Sequence, residues 1–295
     1  MPDKRNNLHA IGLSIIMVAL ASAAAAATKI ATENVSALVI VAAQYVVCLL
    51  ISIPLVLRSG VSSLQTSRWG MHIFRGLIGV LGFGLYYSAL EHTPLVDAVL
   101  LRQSAPLCVP LVLWLWQKQG ITYSGWLPII IGFVGVVLIL SPSGDEISIW
   151  HVAGFFSALT LAISMVATHK LASTEPGQRI LFYYFVISLI CVLPLTLGQW
   201  SSITGRDWAL MLFIGIAMYC TLWLYTRAYS MATANVIAPI NYIAVVFSGL
   251  IGWGLWGHIP NDQAITGIAL VIAGGLLTLY LSQRETADSP LPVDP

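Results

Sequence analysis

The chain has 295 residues, of which 58% are hydrophobic and 8% are charged, with a mean hydropathy of +0.87 and a formal net charge of +1. A soluble domain carries about 25% charged residues to cover its surface, so this composition excludes an ordinary soluble protein. It indicates a chain whose solvent is largely lipid. The near-neutral charge gives no indication of a nucleic-acid partner.

Ten apolar segments follow one another along the chain, most of them near the ~20 residues that a helix needs to cross a bilayer. They lack a polar/apolar alternation and are too long for barrel strands of about 10 residues. We therefore predict an all-α integral membrane protein with about ten transmembrane helices. The predicted segments are 8–28, 35–57, 71–90, 95–117, 124–140, 151–168, 180–198, 209–227, 236–256 and 264–281.

The sequence resembles itself at a shift of 139 residues. The segment ALEHTPLVDAVLL, starting at Ala89, resembles AYSMATANVIAPI, starting at Ala228, and Gly135 corresponds to Gly274. Such a long period is typical of duplicated units. Five spans per half is an odd number, so we predict two inverted five-helix repeats, residues 1–145 and 146–282. The polar segment 283–295 is predicted to be a disordered cytoplasmic tail.

The basic residues predict the orientation. With a cytoplasmic N-terminus, two of the thirteen Lys and Arg residues, Lys29 and Arg206, lie outside, and Arg102 lies within a span. The other ten fall at cytoplasmic ends, which is a strong positive-inside bias and makes both termini cytoplasmic. These ten are Lys4, Arg5, Arg58, Arg68, Arg75, Lys118, Lys170, Arg179, Arg227 and Arg284.

The first segment has a second interpretation. Lys4 and Arg5, the apolar run and the small residues 21–27 also fit a cleavable signal peptide. The repeat favours retention of the segment, because cleavage would leave the first half one helix short.

Two local patterns carry a resemblance to a known family. The motif A-L/Y-x-x-(T/S)…P recurs near the third-to-fourth connection of each half, and Gly267 and Gly274 are seven residues apart in the last segment. With the two five-helix halves, these features resemble the EamA family of the drug/metabolite transporter superfamily over the whole chain except its tails. Members often carry Glu after the fourth and ninth helices, where this chain has Gln119 and His258. The resemblance implies a small-molecule carrier; relatives export amino acids and other metabolites, or take up compounds such as S-adenosylmethionine or riboflavin.

Arg102 is the one basic residue that the orientation leaves inside a span, about 10 Å from the outer end at ~1.5 Å per residue. Three interpretations are open: the side chain extends to the outer interface, pairs with an acidic group, or binds an anionic group of a substrate in a central cavity. Asp97 lies about 140° away on the helix and is a poor partner. Ala98, Ala105 and Pro106 leave space beside the guanidinium and favour the cavity.

Further polar and aromatic residues at membrane depth complete the predicted substrate site around Arg102. Each taken alone fits helix packing better than ligand contact. The predicted site residues are Gln44, Tyr87, Gln103, Tyr219, Trp223, Asn241 and Tyr242, with Asn241 as the repeat counterpart of Arg102. Asp97, Glu91 and His92, clustered at the outer end, are the candidates for proton coupling.

The resulting prediction is a secondary transporter of the bacterial inner membrane that works by alternating access. We expect it to export a small zwitterionic, carboxylate-bearing, amino-acid-like metabolite. Uptake of a compound such as S-adenosylmethionine or riboflavin is the alternative, and a non-transporting membrane subunit is the alternative of another class. The motifs of an intramembrane enzyme are absent from the sequence, so we expect no catalytic residue, metal or cofactor. A monomer and a homodimer are both left open.

Overall fold

The computed structural model describes residues 4–118, 123–140, 148–200, 203–231, 238–258 and 261–288, and every regular element within these ranges is helical. This confirms the all-α prediction. Three short 3₁₀ helices accompany the α-helices, at Val61–Leu64, Leu193–Thr196 and Ala238–Tyr242. The α-helices are α1 (Lys4–Ala31), α2 (Ala37–Ser59), α3 (Trp69–His92), α4 (Leu95–Gln103), α5 (Ala105–Gln117), α6 (Tyr123–Leu140), α7 (Ile149–Ala172), α8 (Gly177–Val192), α9 (Gly205–Met231), α10 (Ile243–Trp256) and α11 (Asp262–Asp288).

Within the described residues, seven helical segments are long and apolar enough to cross a membrane. Three further apolar helices are shorter, at Gly125–Ile139, Ile240–Trp256 and Asp262–Thr278. Large apolar side chains such as Leu57, Leu115 and Ile190 are more than 60% exposed on the outside of the bundle. An apolar exterior of this kind suits a lipid solvent.

The fourth predicted segment divides at Ser104 into α4 and α5. Pro106 has no N–H, and a proline ring clashes with the carbonyl four residues before it, here that of Arg102. In the second half, the described part of the corresponding segment starts at residue 238 with the 3₁₀ helix Ala238–Tyr242, which contains Pro239 and precedes α10. The helix is thus interrupted two residues after Arg102 in the first half, and in the second half a proline lies in the 3₁₀ turn that precedes α10.

The helices pack in pairs that are related by exchange of the two halves. The pair α1–α9 corresponds to α7–α3, and the contact of α10 with α1 corresponds to that of α4 and α5 with α7. The pairs α2–α8 and α6–α11 each correspond to themselves. Contacts between the halves thus dominate the packing.

Glycines bring α6 and α11 into backbone contact. A Cβ atom at Gly135 would lie 2.7 Å from the Gly267 carbonyl oxygen, and one at Gly274 would lie 2.6 Å from that of Pro128. Both contacts are closer than real Cβ atoms approach, so glycine is required at each position. The two contacts are equivalent in the two halves. At the 139-residue shift, Gly135 corresponds to Gly274, and Pro128 corresponds to Gly267.

The ends of the predicted units differ in detail from the structure. Helix α11 continues to Asp288, so the first six residues of the predicted tail are helical, and 289–295 lie outside the described residues. The predicted boundary at 145–146 and the position of Gln119 also lie outside them. His258 follows α10 and is exposed.

Candidate functional site

Arg102 lies against α3 in the interior of the bundle. Its guanidinium carbon is 4.5 Å from the ring centroid of Phe83 and 4.6 Å from that of Tyr86. One Nη donates to the Gly82 carbonyl oxygen at 3.4 Å. Arginine stacks on aromatic faces in this way and keeps hydrogen-bonding capacity for a further acceptor.

A small cavity adjoins Arg102 between the two halves. Its volume of about 30 Å³ has room for about one or two water molecules and is too small for a metabolite. The wall from α3 contains glycine, and the wall from α7 contains hydroxyl groups. The lining residues are Ile78, Gly79, Gly82, Phe83, Arg102, Thr160, Leu161, Ser164 and Tyr184.

Arg75 is a second arginine in the interior, which sequence reasoning assigned to the cytoplasmic end of its helix. Its exposed fraction is 7%. Nε donates to Thr168 Oγ1 at 2.6 Å, and the guanidinium carbon lies 4.0 Å from the ring centroid of Tyr184. One Nη is buried and has no hydrogen-bond partner among the described residues. The available signal was its position within the predicted span 71–90, next to Gly76.

Tyr184 is the second site residue that the sequence interpretation missed. Its hydroxyl and that of Tyr45 form a hydrogen bond of 3.0 Å, and the two rings meet edge to face. The two tyrosines are 139 residues apart, the same shift as the internal repeat. That correspondence was the signal that could have identified the pair.

Gln44 and Tyr87 lie together in the buried core between α2 and α3. The Tyr87 hydroxyl donates to Gln44 Oε1, while Gln44 Nε2 has no hydrogen-bond partner among the described residues. Tyr87 also packs edge to face on Phe83, one of the rings under Arg102. These two predicted residues are therefore brought close to the arginine.

The remaining predicted residues are distributed more widely. Gln103 Nε2 donates to the Asn241 carbonyl oxygen at 2.7 Å and ties α4 to the second half. Tyr242 is 5% exposed, and its hydroxyl has no hydrogen-bond partner among the described residues. Tyr219 packs near Phe185, whereas Trp223 is 59% exposed on α9 and is not brought to this cluster.

The three candidates for proton coupling lie at the end of α3 and the start of α4 and have different environments. Asp97 is 6% exposed and lies 3.7 Å from His151 Nε2. Glu91 and His92 are exposed, and the His92 ring stacks on Trp150. Of the three proton-coupling candidates, Asp97 is thus the buried one.

A polar cluster joins the two halves at the opposite end of α3. Glu175 accepts hydrogen bonds from Thr66 and His72, the latter at 2.7 Å, and lies 3.9 Å from Arg179. Arg179 Nε also donates to the Ser63 carbonyl oxygen. Burial acts to raise the pKa of Glu175, but the hydrogen bonds from Thr66 and His72 and the charges of His72 and Arg179 outweigh it, so the pKa lies below its ordinary value.

The described residues contain no group of three His, Cys, Asp or Glu side chains that could hold a metal ion. The four cysteines are free, two of them buried among apolar neighbours.

Membrane-length helices, an apolar exterior and an internal polar cluster define a multi-pass membrane protein. A model of the EamA-like transporter family matches residues 8–141 and 148–280. The chain belongs to this family and is a multi-pass membrane transporter of the bacterial inner membrane, with a small-molecule substrate. Its family is consistent with the expectation that the chain is not an enzyme.

Named relatives are similar over most of their length. A riboflavin transporter of Brucella anthropi is 27% identical, covering 92% of this chain and 99% of the relative. A pseudopaline exporter of Pseudomonas aeruginosa is 30% identical over 76% and 77% of the two chains. An S-adenosylmethionine uptake transporter of Rickettsia bellii is 25% identical over 80% and 81%. A solved crystal structure covers 95% of the chain at a TM-score of 0.63 and 22% identity, which supports the fold.

Proposed function

We propose that this protein is a secondary carrier that exports a small zwitterionic, carboxylate-bearing metabolite of amino-acid type. The observation that carries this proposal is the environment of Arg102. Its guanidinium faces a cavity between the halves and has no acidic partner among the described residues. A buried cation without a counter-ion is costly, and a substrate carboxylate in bidentate contact would compensate it.

The proposed mechanism is alternating access by two inverted five-helix halves with cytoplasmic termini. Three observations support it: helix pairs that correspond on exchange of the halves, the matching glycine contacts of α6 and α11, and the Tyr45–Tyr184 pair. The cavity at Arg102 is too small for a metabolite, so binding requires the halves to separate. Movement of one inverted repeat against the other supplies that separation.

Uptake of a compound such as riboflavin or S-adenosylmethionine is the second candidate. The rings of Phe83, Tyr86 and Tyr184 next to the cavity favour a flat aromatic cargo. Similarity to the riboflavin transporter extends over nearly the whole of both chains. This candidate predicts that binding depends on the rings more than on Arg102.

The test is a substrate screen on the purified protein, followed by transport into liposomes. Carboxylate-bearing amino acids are expected to stabilise the wild type against heat but not the Arg102→Ala variant, and to cross liposome membranes with the wild type alone. Arg58→Gln is the matched control, since Arg58 is exposed at the end of α2. Full transport by Arg102→Ala contradicts the assignment, and absence of any flux would favour a non-transporting subunit.

We propose Asp97 as the proton-coupling group, because it is buried beside His151 while Glu91 and His92 are exposed. Asp97→Asn is expected to abolish the dependence of transport on a pH gradient and to retain exchange of substrate between the two sides. Glu91→Gln is the exposed control. An unchanged gradient dependence in Asp97→Asn refutes this role.

A further inference from the structure

Arg75 and Arg102 border the same tyrosine. The guanidinium of Arg75 stacks on the Tyr184 ring, and Arg102 lines the cavity of which Tyr184 forms a wall. Arg75 lies one turn before Gly79 on α3, while Arg102 reaches Gly82, almost one turn after it. The two attachment points are about 10 Å apart along the helix at ~1.5 Å per residue.

Hydroxyl groups of α7 connect the two arginines. Thr160, Ser164 and Thr168 occur at four-residue spacing and therefore share one face of the helix. Thr168 Oγ1 accepts the hydrogen bond of Arg75, and Thr160 and Ser164 line the cavity at Arg102. Opposite Thr160, Gly82 leaves α3 without a side chain, while Gly76 and Gly79 are covered by Ile187 and Tyr184 of α8.

The positive charges of Arg75 and Arg102 are not balanced by acidic side chains of the described residues. Among the described residues, neither arginine forms an ion pair with Asp or Glu. The nearby buried carboxylates are engaged elsewhere, Glu175 with His72 and Asp97 with His151. Two neighbouring cations in a medium of low dielectric constant repel each other, and each loses hydration.

We propose that the transported metabolite carries two carboxylates, one held by Arg102 and the other by Arg75, with its middle section along the hydroxyl groups of α7. This inference rests on the function proposed above, in which Arg102 binds one carboxylate, and adds a second anchor. The orphaned Nη of Arg75 supplies a donor for that group. Hydrogen bonds between charged groups stabilise by about 1.5–3 kcal/mol, so the second carboxylate should tighten binding about tenfold or more.

The experiment compares matched ligands that differ in one charge: glutamate with glutamine, and succinate with succinamate. Affinities are measured on the purified full-length protein by thermal stabilisation and by competition in liposome transport. The wild type is expected to bind the dicarboxylate of each pair about tenfold more tightly than the monoamide. Arg75→Gln should reduce this ratio to about one while still binding the monoamide. Arg58→Gln, an exposed arginine, should leave the ratio unchanged.

The outcomes separate this inference from the proposed function. If both members of each pair bind equally to the wild type and depend on Arg102, the second anchor is refuted and the carboxylate carrier stands. If the preference persists in Arg75→Gln, Arg75 is not the anchor. If no carboxylate binds or crosses, the proposed function fails and the inference with it. If Arg75→Gln does not fold, Arg75→Lys, which keeps the charge and loses the bidentate fork, is expected to lower the ratio, and an unchanged ratio refutes the role.

Discussion

Two of the large contacts between the halves, α3–α7 and α1–α9, occupy corresponding places but differ in chemistry. The first contains Arg75, Gly79 and the hydroxyl groups of α7. At the 139-residue shift, Arg75 corresponds to Ile214, which is fully buried, and Gly79 corresponds to Met218. Thr160, Ser164 and Thr168 of α7 correspond at this shift to Ala21, Ala25 and Lys29 of α1.

The two contacts therefore differ in the polar groups that they bury. Alanines of α1 and apolar side chains of α9 belong to one hydrophobic core, and the buried hydroxyls of Ser14 and Thr28 bond to carbonyl oxygens of their own helix. The α3–α7 contact holds Arg75 and the hydroxyl groups of α7, and the binding site proposed above lies there for this reason. The helix packing is shared by the two halves, whereas the buried arginine and the hydroxyl groups of α7 occur where the halves differ in sequence.

The largest effect is expected from adding a side chain at Gly79, where the Tyr184 ring packs directly on the backbone of α3. A Cβ atom there would lie 2.8 Å from the Tyr184 hydroxyl oxygen and 2.9 Å from Cζ, so Gly79→Ala must displace the ring. Overpacking costs about 1–3 kcal/mol, and we expect about a tenfold loss of transport in liposomes. Gly12→Ala on α1 is the control, because nothing lies within 4 Å of that position. Equal activity of both variants would show that the close contact between Gly79 and Tyr184 is not needed for transport.

A smaller, pH-dependent effect is expected from the Glu175 cluster, which fastens one end of the α3–α7 contact. Its lowered pKa means that the folded protein favours the carboxylate. The resulting stability is present above the ordinary value of 4.5 and is lost as the pH falls through the lower pKa of the folded state. Melting temperatures of the wild type should therefore fall across this acidic range.

Glu175→Gln removes the titrating group of that cluster. We expect this variant to melt at a lower temperature than the wild type at neutral pH and to approach it as the medium is acidified. Exposed Glu91→Gln is the control and should follow the wild-type profile. Parallel profiles for Glu175→Gln and the wild type would mean that Glu175 contributes no pH-dependent stability.

The smallest effect is expected from the Tyr45–Tyr184 pair, which lies between the two contacts. Tyr45→Phe leaves one buried hydroxyl without its partner and should cost about 1 kcal/mol of unfolding free energy. Tyr184→Phe should cost a similar amount. The double variant should cost less than the sum of the two, because no orphaned hydroxyl remains. Additive effects in this double-mutant cycle would argue against an energetic role of the hydrogen bond.

The predicted site divides into residues that local sequence could identify and residues that it could not. Arg102 was found because a charge in a long apolar run is conspicuous at any orientation of the helix. Arg75 was missed because it lies six residues from the start of α3, where positive-inside reasoning assigns it to the interface. Trp223 was included because aromatic residues at membrane depth look alike in sequence, although it lies on the exposed side of α9.

The sequence by itself determined that the chain lies in lipid and is helical, because both follow from its composition and its long apolar segments. The resemblance between its halves and the family also follow from patterns along the chain. Only the tertiary structure decided that Arg75, Arg102 and Tyr184 meet. They belong to three helices of two halves, and the rotation of each helix about its own axis depends on its neighbours. Glycine contacts such as Gly79 with Tyr184 determine that rotation, and it decides which side chains reach the cavity and which reach the lipid.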